Sequence, residues 1–399
     1  MGILWVRGKF RKKATMADKT VYILGAGFSM NAGAPSQADL IDEIYRLKNT
    51  YTKTSHAKVL QWVEKFDDFL TNSLHVSDLQ KRYFTLEDIF TPIDRCIVEN
   101  ISFRQYSPQE LVNLRDIFNR LIILAVRSAI ERKKKKKDSI ETFAKYIITL
   151  SKNRLNNEKE DRVSVITTNW DIMLDNSIHS IMSKEVKPKG LKFSGVVDYC
   201  CYISSLDKND ESIKPGLYAI GKGRYNTKIL KLHGSLNWMQ CPSCQRLYVK
   251  YYLRWNGGYV FDKKYCRHCE SNFGTVEQES IQLGTNLIMP TFLKNLNNVQ
   301  NKLIWQNAGI ELSEASKIVF LGYSLPHADF EFKQLLSRMI RTNAKIEAVL
   351  IKQDNPKSYK DTDSAKYQTA GYRFENFFSG REITIFYNGV DEYIQKFCR

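Results

Sequence analysis

Nothing in this sequence is long and apolar enough to cross a membrane. The longest strongly apolar run, Leu121 to Val126, covers six residues, where a spanning helix needs about 20. No secretory hydrophobic segment opens the chain, and Val6 stands where a myristoylation signal requires Ser or Thr. The expected location is therefore the cytoplasm, with no membrane partner. Internal repeats are absent, and the one low-complexity stretch is a basic run. Acidic residues are scarce relative to basic ones, 43 against 60, for a net charge of +17. That imbalance favours a negatively charged small ligand and leaves a nucleic-acid contact open, although charge alone is a weak signal.

What is present reads as an ordinary packed protein. Hydrophobic residues make up 43% and charged residues 26% of the 399 positions, which excludes global disorder and suffices for a large core. The segment from Met1 to Thr15 carries Arg7, Lys9, Arg11, Lys12 and Lys13 with no acid, so residues 1–20 read as a basic tail ahead of a body spanning 21–399. The six consecutive basic residues Arg132 to Lys137 read as a solvated helix end, where positive charge complements the helix dipole, or as a contact surface for a polyanion.

Val21-Tyr22-Ile23-Leu24 is a buried-strand pattern that runs into Gly25-Ala26-Gly27. A helix should follow, with Ser36 as N-cap and Leu40, Ile41, Ile44 and Leu47 on one face. From about 50 to about 158 apolar residues recur at helical spacing, which predicts a long helical insertion. Within it Ser107-Pro108-Gln109-Glu110 forms a capping box with proline at the first helical position. Strand patterns resume at Val163–Thr167, Ile229–Leu232, Ile318–Leu321, Ala348–Ile351 and Ile383–Phe386. Several are continuous rather than alternating, as in a parallel sheet covered on both faces, so the fold class is α/β.

Cys241-Pro-Ser-Cys244 and Cys266-Arg-His-Cys269 are two paired thiols with 21 residues between the pairs. Four sulfurs at this spacing close a tetrahedral sphere, which points to a structural Zn2+ in a small module at about 239–272, against a bland reading as buried or redox-active thiols. His268 falls inside the second pair and reads as a bystander. Cys96, Cys200, Cys201 and Cys398 show no second pairing.

Three further motifs sit where strands end, the edge at which open α/β sheets bind ligands. Gly25-Ala26-Gly27-Phe28-Ser29-Met30 can cradle a phosphate, but its third glycine is replaced by Met30, so a plain tight turn is equally admissible. In Thr167-Thr168-Asn169-Trp170-Asp171 the polar side chains are ligand contacts or helix caps. His233 is the only one of six histidines that ends a core strand beside a glycine. Lone histidines are usually structural, but position and an ordinary pKa near 6.5 suit this one to base chemistry. Ile318 to Leu321 then leads into Gly322-Tyr323-Ser324-Leu325-Pro326.

The order of Gly25-Ala26-Gly27-x-Ser29, Thr168-Asn169-Trp170-Asp171, His233-Gly234-Ser235, the paired cysteines and Gly322-Tyr323-Ser324 resembles the sirtuins. The closer resemblance is to the sirtuin-like NAD hydrolases of bacterial anti-phage defence, through the helical insertion, Leu86-Glu87-Asp88-Ile89-Phe90 and Asp329 beyond the Gly-Tyr-Ser-Leu-Pro stretch. The resemblance implies a Rossmann-like parallel sheet with a large helical insertion and a four-cysteine zinc module. It implies NAD+ as substrate, with Asn169 and His233 catalytic. Gly25, Ala26, Gly27, Ser29, Thr168, Asp171, Gly322 and Ser324 would line the NAD pocket, and the zinc would be structural. A homo-oligomer restrained by a partner such as a DNA-translocating ATPase is expected, because unregulated NAD loss is toxic. Two departures stand out. Gly33-Ala34-Pro35-Ser36-Gln37 lacks the Asp, Phe and Arg of the deacylase loop, and Ile351 is followed by Lys352-Gln353-Asp354 rather than an adenosine-binding asparagine. An NAD-dependent lysine deacylase and a non-enzymatic zinc or nucleic-acid-binding module are the competing readings.

Overall fold

The computed structural model describes residues 18–51, 53–81, 83–133, 137–186, 193–210, 212–251, 264–273, 281–291, 294, 296–360 and 362–398. Most of the expected basic tail, Lys134 to Lys136 of the basic run and the middle of the cysteine module lie outside them. Lys19, at the end of the expected tail, is buried and ion-paired to Asp161 at 2.8 Å.

The sheet is built by the continuous apolar runs. β1 (Thr20–Leu24) lies at its centre, paired in parallel with β2 (Val163–Thr167) on one side and β9 (Lys317–Leu321) on the other. Beyond β2 come β5 (Tyr225–Lys231) and β3 (Gly195–Asp198); beyond β9 come β10 (Lys345–Val349) and β11 (Ile383–Phe386). The order β11-β10-β9-β1-β2-β5-β3 is parallel throughout. Consecutive connections therefore leave β1 towards opposite edges, which makes the carboxyl ends of β1, β2 and β9 a topological switch point. β3 had no clear signature in the sequence, being four residues long with a glycine at its start.

Between β1 and β2 the described residues form helices and add no strand to either sheet: the five-residue α1 (Ala26–Met30), then α2 (Leu40–Thr50), α3 (Lys53–Asp68), α4 (Asp78–Lys81), α5 (Leu86–Glu99), α6 (Pro108–Lys133) and α7 (Asp138–Ser151). The Ser107 box is present: Ser107 N–H donates to Glu110 at 2.8 Å and Glu110 N–H to Ser107 Oγ at 3.4 Å. Thr85 and Asp88 form a second box at the start of α5. Leu121 to Val126 are all buried because α6 packs on α2, α3 and α5 and also touches the second sheet. The expected cap at Ser36 is corrected. α2 begins at Leu40 with Asp39 as N-cap, and Ser36 instead donates its N–H and hydroxyl to the Asp39 carboxylate.

The second sheet has the order β4-β7-β6-β8, from Ile203–Ser205, Leu247–Val249, Gly234–Gln240 and Gly284–Leu287. β6 leaves the main sheet directly after His233, so the small sheet is attached at the rim. Outside these, α8 (Met173–Lys184), α9 (Arg267–Phe273), α10 (Val299–Glu314), α11 (Phe330–Met339), α12 (Ala370–Phe377) and α13 (Val390–Phe397) complete the described elements.

Candidate active site at the carboxyl rim

The turn after β1 and the turn after β9 lock together through bare backbone. Gly27 N–H donates to Gly322 O at 2.9 Å and Gly25 N–H to Leu321 O at 3.2 Å. A Cβ at Gly25 would lie 2.5 Å from Tyr323 Cα, and Gly322 has φ +62 with Gly27 carbon 2.4 Å from where its Cβ would be. The glycines are thus demanded by loop-to-loop contact. With the Gly25 and Gly27 amides so engaged and Phe28 N–H bonded to Gly25 O, only part of this turn is left to meet a ligand.

Asn169 follows β2 and is held from behind. Its backbone N–H donates to Thr167 Oγ1 at 3.1 Å, and its side-chain Nδ2 donates to Gly25 O at 2.8 Å and Ser29 Oγ at 3.4 Å. Because a carbonyl can only accept, Nδ2 must face Gly25, and Oδ1 is the end of the amide that this bond leaves uncommitted. Asp171 caps locally, accepting from Met173 N–H at 3.1 Å. Burial pushes its carboxyl up from the usual range, against the pull of the Lys231 ammonium. Lys231 itself is buried and donates to Asp171 O at 2.7 Å and Asp175 at 3.1 Å, which fixes the loop from below.

His233 sits between β5 and β6 with 5% exposure, and its Nε2 is buried without a hydrogen-bond partner. Its other nitrogen is the one engaged by the backbone at Thr168, which fixes the tautomer and leaves a lone pair on Nε2. Burial lowers its pKa to about 4; Asp329 opposes that shift and Lys294 adds to it. The imidazole is therefore neutral near pH 7 and able to accept a hydrogen bond.

One cavity of about 500 Å³ collects these groups. Ala26, Gly27, Thr168, Asn169, Asp171, His233, Gly322 and Ser324, all expected from the sequence, line it. Gly25 and Ser29 are not among its lining residues; they support Asn169 instead. The cavity also reaches Ala34, Pro35, Ser36 and Gln37 on the near side and Ile351 and Asp354 at the end of β10. Sequence reasoning assigned no role to Asp329, Lys294, Trp170 or Asp354. Asp329 lines the cavity with Oδ1 3.6 Å from His233 Nε2. Trp170 is pinned by its Nε1 donating to Ile288 O at 3.3 Å.

Apart from this cavity, the cysteines converge. All four Sγ atoms lie within 4.8 Å of one another, with Cys241 to Cys269 at 3.8 Å and Cys244 to Cys266 at 3.6 Å. Tetrahedral zinc bonded to sulfur at about 2.3 Å requires sulfur-sulfur edges of about 3.8 Å, so the cluster fits the ion. The remaining cysteines, Cys96, Cys200, Cys201 and Cys398, form no disulfide.

The frame is an open, doubly wound α/β protein with a cavity of about 500 Å³ at the switch point. No protein-family model matches the chain, and no curated protein does. Among solved structures, it is similar to Sir2Tm bound to a propionylated peptide at 13% identity, covering 95% of this chain and 91% of that one, with a TM-score of 0.38. A Sir2 homologue mutant complexed with 2'-O-acetyl ADP-ribose gives 13%, 96%, 90% and 0.41 in the same order, and a Sir2 homologue–NAD complex gives 11%, 96%, 91% and 0.38. At these scores the likeness bears no weight on function, which rests on the rim itself.

Proposed function

We propose that this protein is an NAD+ glycohydrolase, cleaving the nicotinamide-ribose bond to give nicotinamide and ADP-ribose. The observation that carries the reading is that one cavity is lined by both Asn169, whose amide nitrogen is spent on Gly25, and His233, whose Nε2 has no partner. Around them the small residues Ala26, Gly27, Gly322 and Ser324 leave room for a pyrophosphate to approach the backbone. The order of these motifs, in their resemblance to sirtuin-like NAD hydrolases, supplies the choice of dinucleotide.

In the reaction the bond from the ribose anomeric carbon to the nicotinamide nitrogen breaks, and its electron pair leaves with neutral nicotinamide. Positive charge develops on the sugar, and groups already oriented towards it lower the barrier. Nε2 of His233 accepts from a ribose hydroxyl and draws electron density towards the ring. Asn169 Oδ1 holds the attacking water, whose oxygen bonds to the anomeric carbon while one proton is released. Asp171 and Lys231 keep the loop of Asn169 in place. Cys241, Cys244, Cys266 and Cys269 would hold a zinc ion in a structural role beside the small sheet, since four thiolates would leave no open position for water. We further infer a cytoplasmic, oligomeric effector of anti-phage defence, restrained by a partner.

The test is nicotinamide release with and without an acyl-lysine peptide. Release by the wild type without peptide, lost in Asn169→Ala and His233→Ala, is expected. Strict dependence on peptide would turn the reading to a deacylase, and no turnover in any oligomeric state would remove the enzyme reading.

A further inference from the structure

Asp329 enters the cavity wall from the loop ahead of α11 and is 4% exposed. Its two oxygens have different surroundings. Oδ2 accepts from the Tyr323 hydroxyl at 2.8 Å. Oδ1 lies 3.4 Å from the Lys294 ammonium, which has no exposed side-chain surface and is 3.0 Å from Glu331. The same Oδ1 is 3.6 Å from His233 Nε2. That is too long for a direct hydrogen bond. Moreover, with Thr168 holding the other ring nitrogen, Nε2 carries a lone pair, so imidazole and carboxylate present two acceptors to each other.

A buried acceptor left unmet is costly unless something brings it a donor, and His233 Nε2 has none. Lys294 is held by Glu331 and by Asp329 Oδ1, which keeps further acceptor capacity, and the tyrosine by Oδ2. The donor that Nε2 lacks must therefore come from the cavity. A span of 3.6 Å between acceptors matches what two adjacent hydroxyls of a five-membered sugar ring can bridge, each donating to one acceptor at ordinary length.

We propose that Asp329 is a further catalytic residue: with His233 it forms a paired acceptor that takes the vicinal diol of the nicotinamide ribose, while Lys294 and Tyr323 fix its carboxylate. The proposal rests on reading the cavity as an NAD+ site and adds the group that recognises both hydroxyls. One hydroxyl donates to Nε2 and its neighbour to Oδ1. Both oxygens then carry more electron density beside the anomeric carbon as the bond to nicotinamide breaks. A second consequence is selectivity, since a sugar lacking either hydroxyl leaves one buried acceptor unmet.

The experiment compares the wild type with Asp329→Asn, reading kcat and KM for nicotinamide release from NAD+ and from analogues lacking the 2'- or the 3'-hydroxyl of the nicotinamide ribose. Asparagine keeps an acceptor for Tyr323 but weakens the charged contact. The expected result is a fall in kcat of about 100-fold. The preference for the intact diol over one of the deoxy analogues should also collapse in the variant, a ratio from which intrinsic reactivity cancels. Turnover of NAD+ within about threefold of the wild type overturns the proposal while leaving the hydrolase reading intact. A wild type that neither binds nor cleaves NAD+ sinks that reading, and the paired acceptor with it. Should Asp329→Asn fail to fold, titration calorimetry of the wild type decides: both deoxy analogues should bind at least about tenfold more weakly than NAD+, and loss with only one of them overturns the pair.

Discussion

The two ends of the central sheet both bury charge, yet they do so in opposite ways. At the amino end Lys19, Arg154 and Lys228 mesh with Asp161, Glu311 and Glu314: Lys19 reaches Asp161 at 2.8 Å and Glu314 at 2.7 Å, Arg154 reaches Asp161 at 2.6 Å, and Lys228 reaches Glu311 at 2.6 Å. Each cation meets an anion and the cluster closes on itself. At the carboxyl end His233 Nε2 is buried without a partner, and His233 and Asn169 both line the cavity. A dense set of charges is thus a poor sign of a site; incomplete satisfaction beside open space is the better one.

If that contrast is right, variants at the two ends should fail in different assays. The largest effect is expected for His233→Ala, which removes the acceptor at the cavity and should lower kcat for nicotinamide release by about 100- to 10,000-fold with the melting temperature little changed. Asp161→Ala should do the reverse. It leaves Arg154 without its carboxylate partner and removes one of the anions shared by Lys19 and Lys228, which keep Glu311 and Glu314, costing about 1–3 kcal/mol in denaturant unfolding, while kcat of the remaining folded protein stays near that of the wild type.

Acid should separate the ends as well. His233, lowered to about 4 by burial, stays neutral until the pH nears that value, so the acid limb of kcat/KM should fall there and not near 6.5. Burial alone would raise the Asp161 carboxyl, but Lys228, Lys19 and Arg154 outweigh it and hold it well below the usual range. A depressed carboxylate stabilises the fold above its unfolded pKa, and that contribution is lost as the pH falls below about 4. Unfolding followed by circular dichroism should track the amino end, and initial rates the other. The smallest expected change is for Ser324→Ala, a cavity-lining hydroxyl whose loss should raise KM by about fivefold, or about 1 kcal/mol, with kcat unchanged.

Much of this arrangement was legible in the residues. Largely apolar runs announced β1, β2, β5, β9, β10 and β11; the central β1 and β9 are apolar nearly throughout because both their faces are covered, whereas the edge strand β11 is only half-buried. The paired cysteines and the Ser107 box were equally direct, since ligand spacing and capping are local. The small sheet was not. Its strands are as short as Leu247–Val249 and Ile203–Ser205, too brief to establish a period. Ser36 misled because serine and aspartate both cap, and Asp39 competes three residues on. Lys294 and Asp329 could not have been paired with His233 from sequence, because what joins them is the arrival of separate loops at one wall.

One element joins regions that otherwise look independent. α6, 26 residues long, is a rod of about 39 Å. Its Asn119 donates to Thr285 at the edge of the cysteine sheet at 3.3 Å, its Val126 forms part of the cavity wall, and its Lys133 packs beside Gly33. The helical layer and the small sheet are therefore tied by one uninterrupted helix to the wall of the same cavity.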